Sequence, residues 1–154
     1  MSAQGAARIA IVVSRFNRSV TDNLLEGARE AVAKLGLRCG EDDVFFVPGA
    51  FELPLVAREA VRSTHYDAVV CLGAVVRGET PHFDYVCEQA AAGILRVALE
   101  SGKPVAFGVL TTDDMPQALE RAGGSVGNKG YEAVTTVVET LATLESVRRR
   151  GVSR

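Results

Sequence analysis

The residues of this sequence with the clearest chemical potential are 78–83, Gly-Glu-Thr-Pro-His-Phe. Thr80 is a residue type that caps helices, and Pro81 suits a first helical position, where its missing N–H costs nothing. Gly78 lets a ligand approach the backbone closely. The free N–H groups of a helix start lie at the positive end of the helix dipole and stabilise a phosphate there. The segment therefore predicts an active site for a phosphorylated substrate.

The same segment supplies a side chain that can transfer protons. His82 falls in the first turn of the predicted helix, where the dipole disfavours the imidazolium and favours a neutral ring that accepts or relays a proton. The alternative is a surface histidine that caps a turn, and the phosphate-type turn beside His82 favours catalysis. His65 has no glycine or anion-binding context, so we expect a surface residue there.

Other candidates lie outside this segment. Phe16 stands in a polar loop after an apolar run, where its ring would stack on a heterocycle, although most phenylalanines pack into a core. Glu52 would accept hydrogen bonds from a polyol or complement a helix dipole, and local sequence leaves both open. Arg121 and Lys129 flank a glycine-rich connector, and they would either approach a phosphate or remain surface charges.

The elements that must position these residues alternate along the chain. Apolar runs rich in valine and isoleucine predict strands at residues 8–14, 44–47, 68–76 and 104–110. Helical patterns follow them, the first with Thr21 as N-cap and Gly36 as its stop, and the third ending at Gly102. The others are predicted from Gly49 to Val61, over 115–122, and along an apolar stripe from Tyr131 to Leu144.

This alternation predicts an α/β fold, a three-layer α-β-α sandwich with a four-stranded, mainly parallel sheet. We expect one domain over residues 1–154, with a flexible N-terminal arm at 1–7 and a C-terminal tail at 149–154. In such sheets ligands bind beyond the carboxyl ends of the strands, so the loops that follow the four strands should meet in one crevice.

Composition excludes several classes of function. The chain has 154 residues and a net charge of −2, so it offers no broad basic surface for nucleic acid. No apolar run approaches the roughly 20 residues that cross a bilayer, and we expect a cytoplasmic protein without membrane contact. The three cysteines fit neither a disulfide framework nor a zinc pattern, and Cys71 is expected to be a buried thiol.

Two charged clusters have ordinary explanations. The pair Asp113 and Asp114 precedes a predicted helix, and a capping role is favoured over a metal site because no histidine or cysteine lies at ligand spacing. Three arginines at 148–150 end the last helix, where cations complement the dipole and are solvated.

Several separated motifs, taken together in their order and placement, resemble the lumazine synthase family of riboflavin biosynthesis. The resemblance runs from about residue 8 to residue 148, and none of its motifs would be specific alone. The motifs are Ser-Arg-Phe-Asn at 14–17, Pro-Gly-Ala-Phe-Glu at 48–52, Gly-Ala-Val-Val-Arg-Gly-Glu-Thr-Pro-His-Phe-Asp at 73–84, Phe-Gly-Val-Leu-Thr at 107–111 and Gly-Asn-Lys-Gly at 127–130.

The resemblance implies an α/β fold of the flavodoxin-like type and a transferase without cofactor or metal. The family joins 5-amino-6-ribitylaminouracil to 3,4-dihydroxy-2-butanone 4-phosphate, and forms 6,7-dimethyl-8-ribityllumazine, phosphate and water. His82 would relay protons, while positioning of the two substrates supplies most of the catalysis.

The resemblance also assigns binding roles. Phe16 would stack on the pyrimidine, and Ala50 and Glu52 would hold the ribityl chain. The other expected substrate-binding residues are Phe51, Ala74, Val75, Val76, Phe107 and Lys129. The expected phosphate-binding residues are Gly78, Glu79, Thr80 and Arg121.

The family is oligomeric, and Phe107 and Arg121 reach the site from a neighbouring subunit. The resemblance therefore implies a homo-oligomer with the pentamer as its smallest unit. The short glycine-rich connector at 123–130 is similar to that of members which form a 60-subunit icosahedral shell, for which riboflavin synthase is a possible cargo.

Three alternatives remain. An archaeal type of riboflavin synthase resembles this family and would use the lumazine itself. A noncatalytic shell, natural or engineered as a cage, would retain the pocket as a relic. A generic phosphate-binding module of the flavodoxin-like type would not need Phe16, Glu52 and His82 at separate strand ends.

Overall fold

Four parallel strands form the central sheet of the computed structural model, which describes residues 6–152. The spatial order is β2-β1-β3-β4, and every neighbouring pair is parallel. The strands are β1 (Ile9–Ser14), β2 (Val44–Val47), β3 (Ala68–Val76) and β4 (Val105–Thr112). The four predicted strands are confirmed, except that the last continues to Thr112 instead of ending at Leu110.

Five helices connect and cover the strands. They are α1 (Arg18–Leu35), α2 (Leu53–Arg62), α3 (His82–Ser101), α4 (Met115–Glu120) and α5 (Lys129–Val152), with 3₁₀ turns at Glu41–Asp43 and Ala50–Glu52. A small antiparallel hairpin, β5 (Ala122–Gly124) and β6 (Gly127–Asn128), lies between α4 and α5. The sequence predicted only a connector there.

Both faces of the two central strands, β1 and β3, are covered, which explains why these strands are continuously apolar, whereas the edge strand β2 leaves Phe45 and Phe46 exposed. On one face Ile9, Ile11 and Val13 pack with buried residues of α1 and α5. On the other, Ala10 and Val12 pack with buried residues of α2 and α3. Each fully buried valine or isoleucine contributes about 1.5–3 kcal/mol. The predicted three-layer sandwich is confirmed.

The first helix begins earlier than its sequence predicted. Thr21 is buried within α1 and is not its N-cap. Asn17 holds the cap position in the left-handed conformation, with φ of 61°, and asparagine tolerates this region better than most residues. The other end agrees with prediction, because Gly36 follows the helix with φ of 66°.

The chain ends differ in part from the expected arm and tail. Residues 1–5 and 153–154 lie outside the described part of the chain. Ala7, within the expected arm, is buried, and its carbonyl accepts a hydrogen bond of 2.9 Å from the backbone N–H of Arg38. The last helix continues through Val152, so residues 149–152 of the expected tail are helical.

Candidate active site

The carboxyl edge of the sheet is stepped. The last pair between β1 and β3 joins Val13 to Leu72, whereas β3 continues alongside β4 as far as the pair of Val76 with Thr112. Residues 74–76 therefore project past the end of β1. They form a wall beside the loops that follow β1 and β2, in the place where such sheets bind ligands.

The loop after β1 is held against this wall. The backbone N–H of Phe16 donates to the carbonyl of Pro48 at 3.1 Å, which joins the loop after β1 to the loop after β2. Asn17 donates through Nδ2 to the carbonyl of Ala74 at 2.9 Å. The ring of Phe16 is 69% exposed instead of packed in the core. It is therefore free to stack on a flat ligand.

The loop after β2 presents residues of contrasting exposure. Ala50 is buried, whereas Phe51 is exposed. Glu52 is half-buried, and its Oε1 accepts a hydrogen bond of 3.0 Å from the backbone N–H of Gly49. The carboxylate thus caps its own turn, and a carboxylate that accepts one hydrogen bond retains capacity for more.

The segment from Gly78 to His82 is exposed throughout and leads directly into α3. The helix begins at His82 with Pro81 at the cap position, so the prediction of Thr80 as N-cap and Pro81 as first helical residue is displaced by one position. Thr80 still accepts a long hydrogen bond of 3.4 Å at Oγ1 from the N–H of His82. Exposed backbone and the imidazole therefore share one helix start.

Arg77 connects the two sides of this segment. Its Nε donates to Oδ1 of Asp113 at 2.9 Å, and its Nη1 lies 3.5 Å from Oδ1 of Asp84. Its guanidinium carbon also lies 4.4 Å from the centroid of the Phe83 ring. The hydrogen bond to Asp113 is the main cause that raises the pKa of Arg77 above its usual value. Sequence analysis assigned no role to Arg77 or to Asn17.

A second group of predicted residues lines a cleft of about 420 Å³, which adjoins the end of β3 because its residues Thr111 and Thr112 pair with Val75 and Val76. Arg121 donates through Nη1 to the carbonyl of Gln117 at 3.0 Å, and its own carbonyl accepts from the N–H of Lys129 at 2.9 Å. The hairpin thus places the backbones of Arg121 and Lys129 side by side. The lining residues are Phe107, Val109, Leu110, Thr111, Thr112, Arg121, Val126, Lys129 and Glu132.

The predicted site residues therefore form two groups in one chain. We call residues 16, 50–52, 74–76 and 78–82 the strand-end group, and the cavity lined by Phe107, Arg121 and Lys129 the cationic cleft. No residue of the strand-end group lines the cationic cleft.

The two acidic residues after β4, Asp113 and Asp114, have different roles. Asp114 is the N-cap of α4 and accepts a hydrogen bond of 2.9 Å from the N–H of Gln117. Asp113 instead pairs with Arg77. The predicted capping role is confirmed for Asp114 alone.

Other predicted assignments are simpler. Cys71 is buried, as predicted, and burial raises the pKa of its thiol to about 12. His65 is exposed, with Nε2 3.9 Å from Oδ1 of Asp43. Arg148 donates to the carbonyl of Gly102 at 2.9 Å, which ties the end of α5 to the end of α3.

Residues 6–152 contain neither a cluster of metal-ligand side chains nor a membrane-spanning helix. Nowhere in this part of the chain do three or more His, Cys, Asp or Glu side chains gather as they would around a metal ion. None of its helices has both the length and the apolar composition to span a bilayer.

Comparison with known proteins gives a consistent result. The family described as 6,7-dimethyl-8-ribityllumazine synthase matches residues 6–145. A protein of that name from Thermus thermophilus is 54% identical over 149 residues, which cover 97% of this chain and 94% of the relative. Its counterpart from Sulfurospirillum multivorans is 49% identical over 148 residues, 96% of this chain and 95% of the relative. The counterpart from Protochlamydia amoebophila is 54% identical over 135 residues, 88% of this chain and 78% of the relative.

Proposed function

This chain belongs to the 6,7-dimethyl-8-ribityllumazine synthase family, transferases of riboflavin biosynthesis, and we propose that it condenses 5-amino-6-(D-ribitylamino)uracil with 3,4-dihydroxy-2-butanone 4-phosphate. The products are 6,7-dimethyl-8-ribityllumazine, phosphate and water. One observation carries the proposal: an exposed aromatic ring at residue 16 and an exposed helix start at residues 78–82 lie at the same edge of the sheet.

Residues 16, 50–52 and 74–76 of the strand-end group would bind the pyrimidine and its ribityl chain. Phe16 would stack on the ring, and the backbone of residues 74–76 would meet its polar edge. Ala50 and Phe51 would lie along the ribityl chain, and the remaining acceptor capacity of Glu52 suits hydroxyl groups. The hydrogen bonds of Asn17 to Ala74 and of Phe16 to Pro48 support this assignment, because they join the loops after β1 and β2 to the end of β3 before any ligand arrives.

The exposed turn at residues 78–80 would bind the phosphate of the second substrate. Gly78, Glu79 and Thr80 lie just before α3, where backbone N–H groups and the helix dipole favour an anion. Arg121 and Lys129 would complete the seat. Their positions in the cationic cleft agree with a phosphate-binding role for a neighbouring chain.

His82 would move the protons that the condensation requires. Attack of the arylamine on the ketone gives a carbinolamine, which loses one water as the imine forms. Phosphate then leaves by elimination, and ring closure by the ribitylamino nitrogen releases a second water. The addition, the dehydrations and the ring closure transfer protons to or from nitrogen and oxygen, and the elimination removes one from carbon. An imidazole at the start of α3 would relay these protons. Holding both substrates in register supplies the rest.

We propose that the complete site forms between two copies of the chain. The cationic cleft lacks the exposed ring of Phe16 and the helix start at His82 in its lining, and a second copy would supply both. Exposed hydrophobic side chains on α3 support association as well, since Tyr85, Leu95 and Leu99 are 64%, 59% and 75% exposed. The assembly would be a pentamer or a 60-subunit shell of pentamers, with riboflavin synthase as possible cargo.

An absorbance assay for lumazine formation, with phosphate release measured in parallel, tests the proposal. We expect both products only when both substrates are present. A noncatalytic shell would release no phosphate, and an archaeal type of riboflavin synthase would make riboflavin from purified lumazine alone. Either result would contradict the proposal. Sedimentation of the same sample tests the assembly, and a monomer at working concentration would exclude the intersubunit site.

A further inference from the structure

The side chain of Arg77 contacts residues on both sides of the exposed turn at residues 78–82. Its backbone N–H donates to the carbonyl of Thr112 at 2.9 Å, so its main chain still belongs to the sheet. Its side chain reaches past the turn to Asp84 and Phe83 in α3 and sideways to Asp113 after β4. One side chain thus connects the ends of two strands with the start of a helix.

One contact of this guanidinium is with a buried ring, and two are with exposed carboxylates. Phe83 is only 9% exposed, so its ring is a fixed platform for the cation that lies against it. Asp113 accepts the shortest of the contacts, at 2.9 Å. A short turn closed by such contacts loses conformational freedom before a ligand binds, which lowers the entropic cost of binding.

We propose that Arg77 is a positioning residue for the phosphate-binding turn, which it holds in its binding conformation through Asp113, Asp84 and Phe83. This inference rests on the proposed function, since it takes the turn at 78–82 as the phosphate seat. Arg77 affects anion binding indirectly, because it orders the backbone of the turn. Its own guanidinium is paired with the carboxylates of Asp84 and Asp113.

The competing explanation is that Arg77 binds the phosphate directly as a cation. The two explanations predict different effects of Asp113→Ala on anion binding. If Arg77 is a direct ligand, removal of a neighbouring negative charge leaves anion binding unchanged or strengthens it. If Arg77 orders the turn, loss of its closest partner weakens anion binding even though the site becomes more positive.

The test compares Arg77→Met and Asp113→Ala with a matched pair of controls. Arg62 and Glu59 form an exposed ion pair of 3.6 Å on α2, and Arg62→Met and Glu59→Ala remove equivalent charges there. For each variant the inhibition constant of inorganic phosphate and the KM of each substrate are measured. We expect Arg77→Met and Asp113→Ala to weaken phosphate binding and raise the KM of the phosphorylated ketone roughly three- to tenfold, with the KM of the pyrimidine unchanged.

Several results would overturn the inference. One is an inhibition constant of phosphate in Arg77→Met and Asp113→Ala that equals the value in the controls. Another is an equal rise in the KM of both substrates. The third is tighter phosphate binding in Asp113→Ala. A failure of the proposed function would look different, because the wild-type protein would then form no lumazine.

Discussion

At the scale of single residues, Gly73 inside β3 and Gly78 in the turn that follows this strand have different reasons to be glycine. A Cβ atom added at Gly73 would lie 3.0 Å from Oγ of Ser14 and 3.3 Å from Cδ1 of Leu53. A Cβ atom at Gly78 would meet nothing within 4 Å, and its φ is outside the left-handed region. The folded chain therefore does not require glycine at 78, whereas a close-lying phosphate would.

This contrast predicts separable effects. Gly78→Ala should fold with an unchanged Tm and raise the KM of the phosphorylated ketone about tenfold or more, because the methyl group displaces the anion. Gly73→Ala should lower the free energy of unfolding by about 1–3 kcal/mol through overpacking. Steady-state kinetics and thermal unfolding on both variants check the pair. An unchanged KM of the phosphorylated ketone in Gly78→Ala would show that the phosphate does not bind at this turn.

His82 provides a second prediction at this scale. His82→Ala should lower kcat by roughly 10²-fold or less, with both KM values nearly unchanged, because a proton relay contributes less than substrate positioning. The comparison is Arg121→Ala, which should mainly raise the KM of the phosphorylated ketone. If His82→Ala is as inactive as a variant that lacks the whole phosphate seat, positioning is not the main source of catalysis.

Sequence indicated the exposed site residues and missed those that hold them. Phe16 and His82 were identifiable because an aromatic ring and an imidazole follow apolar runs. The roles of Asn17 and Arg77 were not, because their partners Ala74 and Asp113 lie 57 and 36 positions away along the chain. Only the register of the folded sheet brings such pairs together.

At the scale of secondary-structure elements, Asn128 joins the hairpin to two helices. Its Oδ1 accepts from the N–H groups of Gly130 and Tyr131 at 2.8 and 3.1 Å, which caps the start of α5. Its Nδ2 donates to the carbonyl of Asn23 in α1 at 3.1 Å. This side chain fits because Gly27 has none, and a Cβ atom there would overlap the Asn128 amide. Lys129 in the cationic cleft follows directly.

Gly27→Ala should therefore destabilise the protein although alanine favours helices. We expect a loss of about 1–3 kcal/mol, because the new methyl group displaces the Asn128 side chain from its three hydrogen bonds. Thermal or urea unfolding measures the loss. Gly40→Ala is the matched control, since its Cβ atom would have only an ordinary contact of 3.8 Å with Asp43. Equal stabilities for the two variants would contradict this account.

Element prediction succeeded where burial was strong and failed where elements were short. The central strands β1 and β3 are continuous apolar runs because helices cover both of their faces, and β2 is apolar although Phe45 and Phe46 are exposed. The hairpin strands have three and two residues, too few for a periodic pattern. Asn128 bonds to a residue 105 positions away, so its capping role also depends on the tertiary fold.

At the scale of the whole molecule, the proposed intersubunit site allows two defective chains to restore each other. In a ring, a chain with His82→Ala retains a normal Arg121, and a chain with Arg121→Ala retains a normal His82. Random mixed rings would place both normal residues at about a quarter of the interfaces. Co-expression of the two variants should therefore give about a quarter of wild-type activity per chain.

The control carries both substitutions in one chain. Expressed alone, this double variant should stay at the activity of the weaker single variant or below. If each site lay within one chain, the mixture of single variants would only average their separate activities. Mixed activity no higher than that average would show that His82 and Arg121 serve the same protomer.

If the site forms between copies, as proposed, a single chain holds two unlike halves of it and is inactive until it associates with another copy. Activity would then depend on association, because the cationic cleft has none of the strand-end group in its lining. Dilution would inactivate the enzyme without unfolding the chain. At the low protein concentrations that follow the start of synthesis, total activity would rise more steeply than the concentration of the chain. Activity would therefore have a concentration threshold without any dedicated regulator.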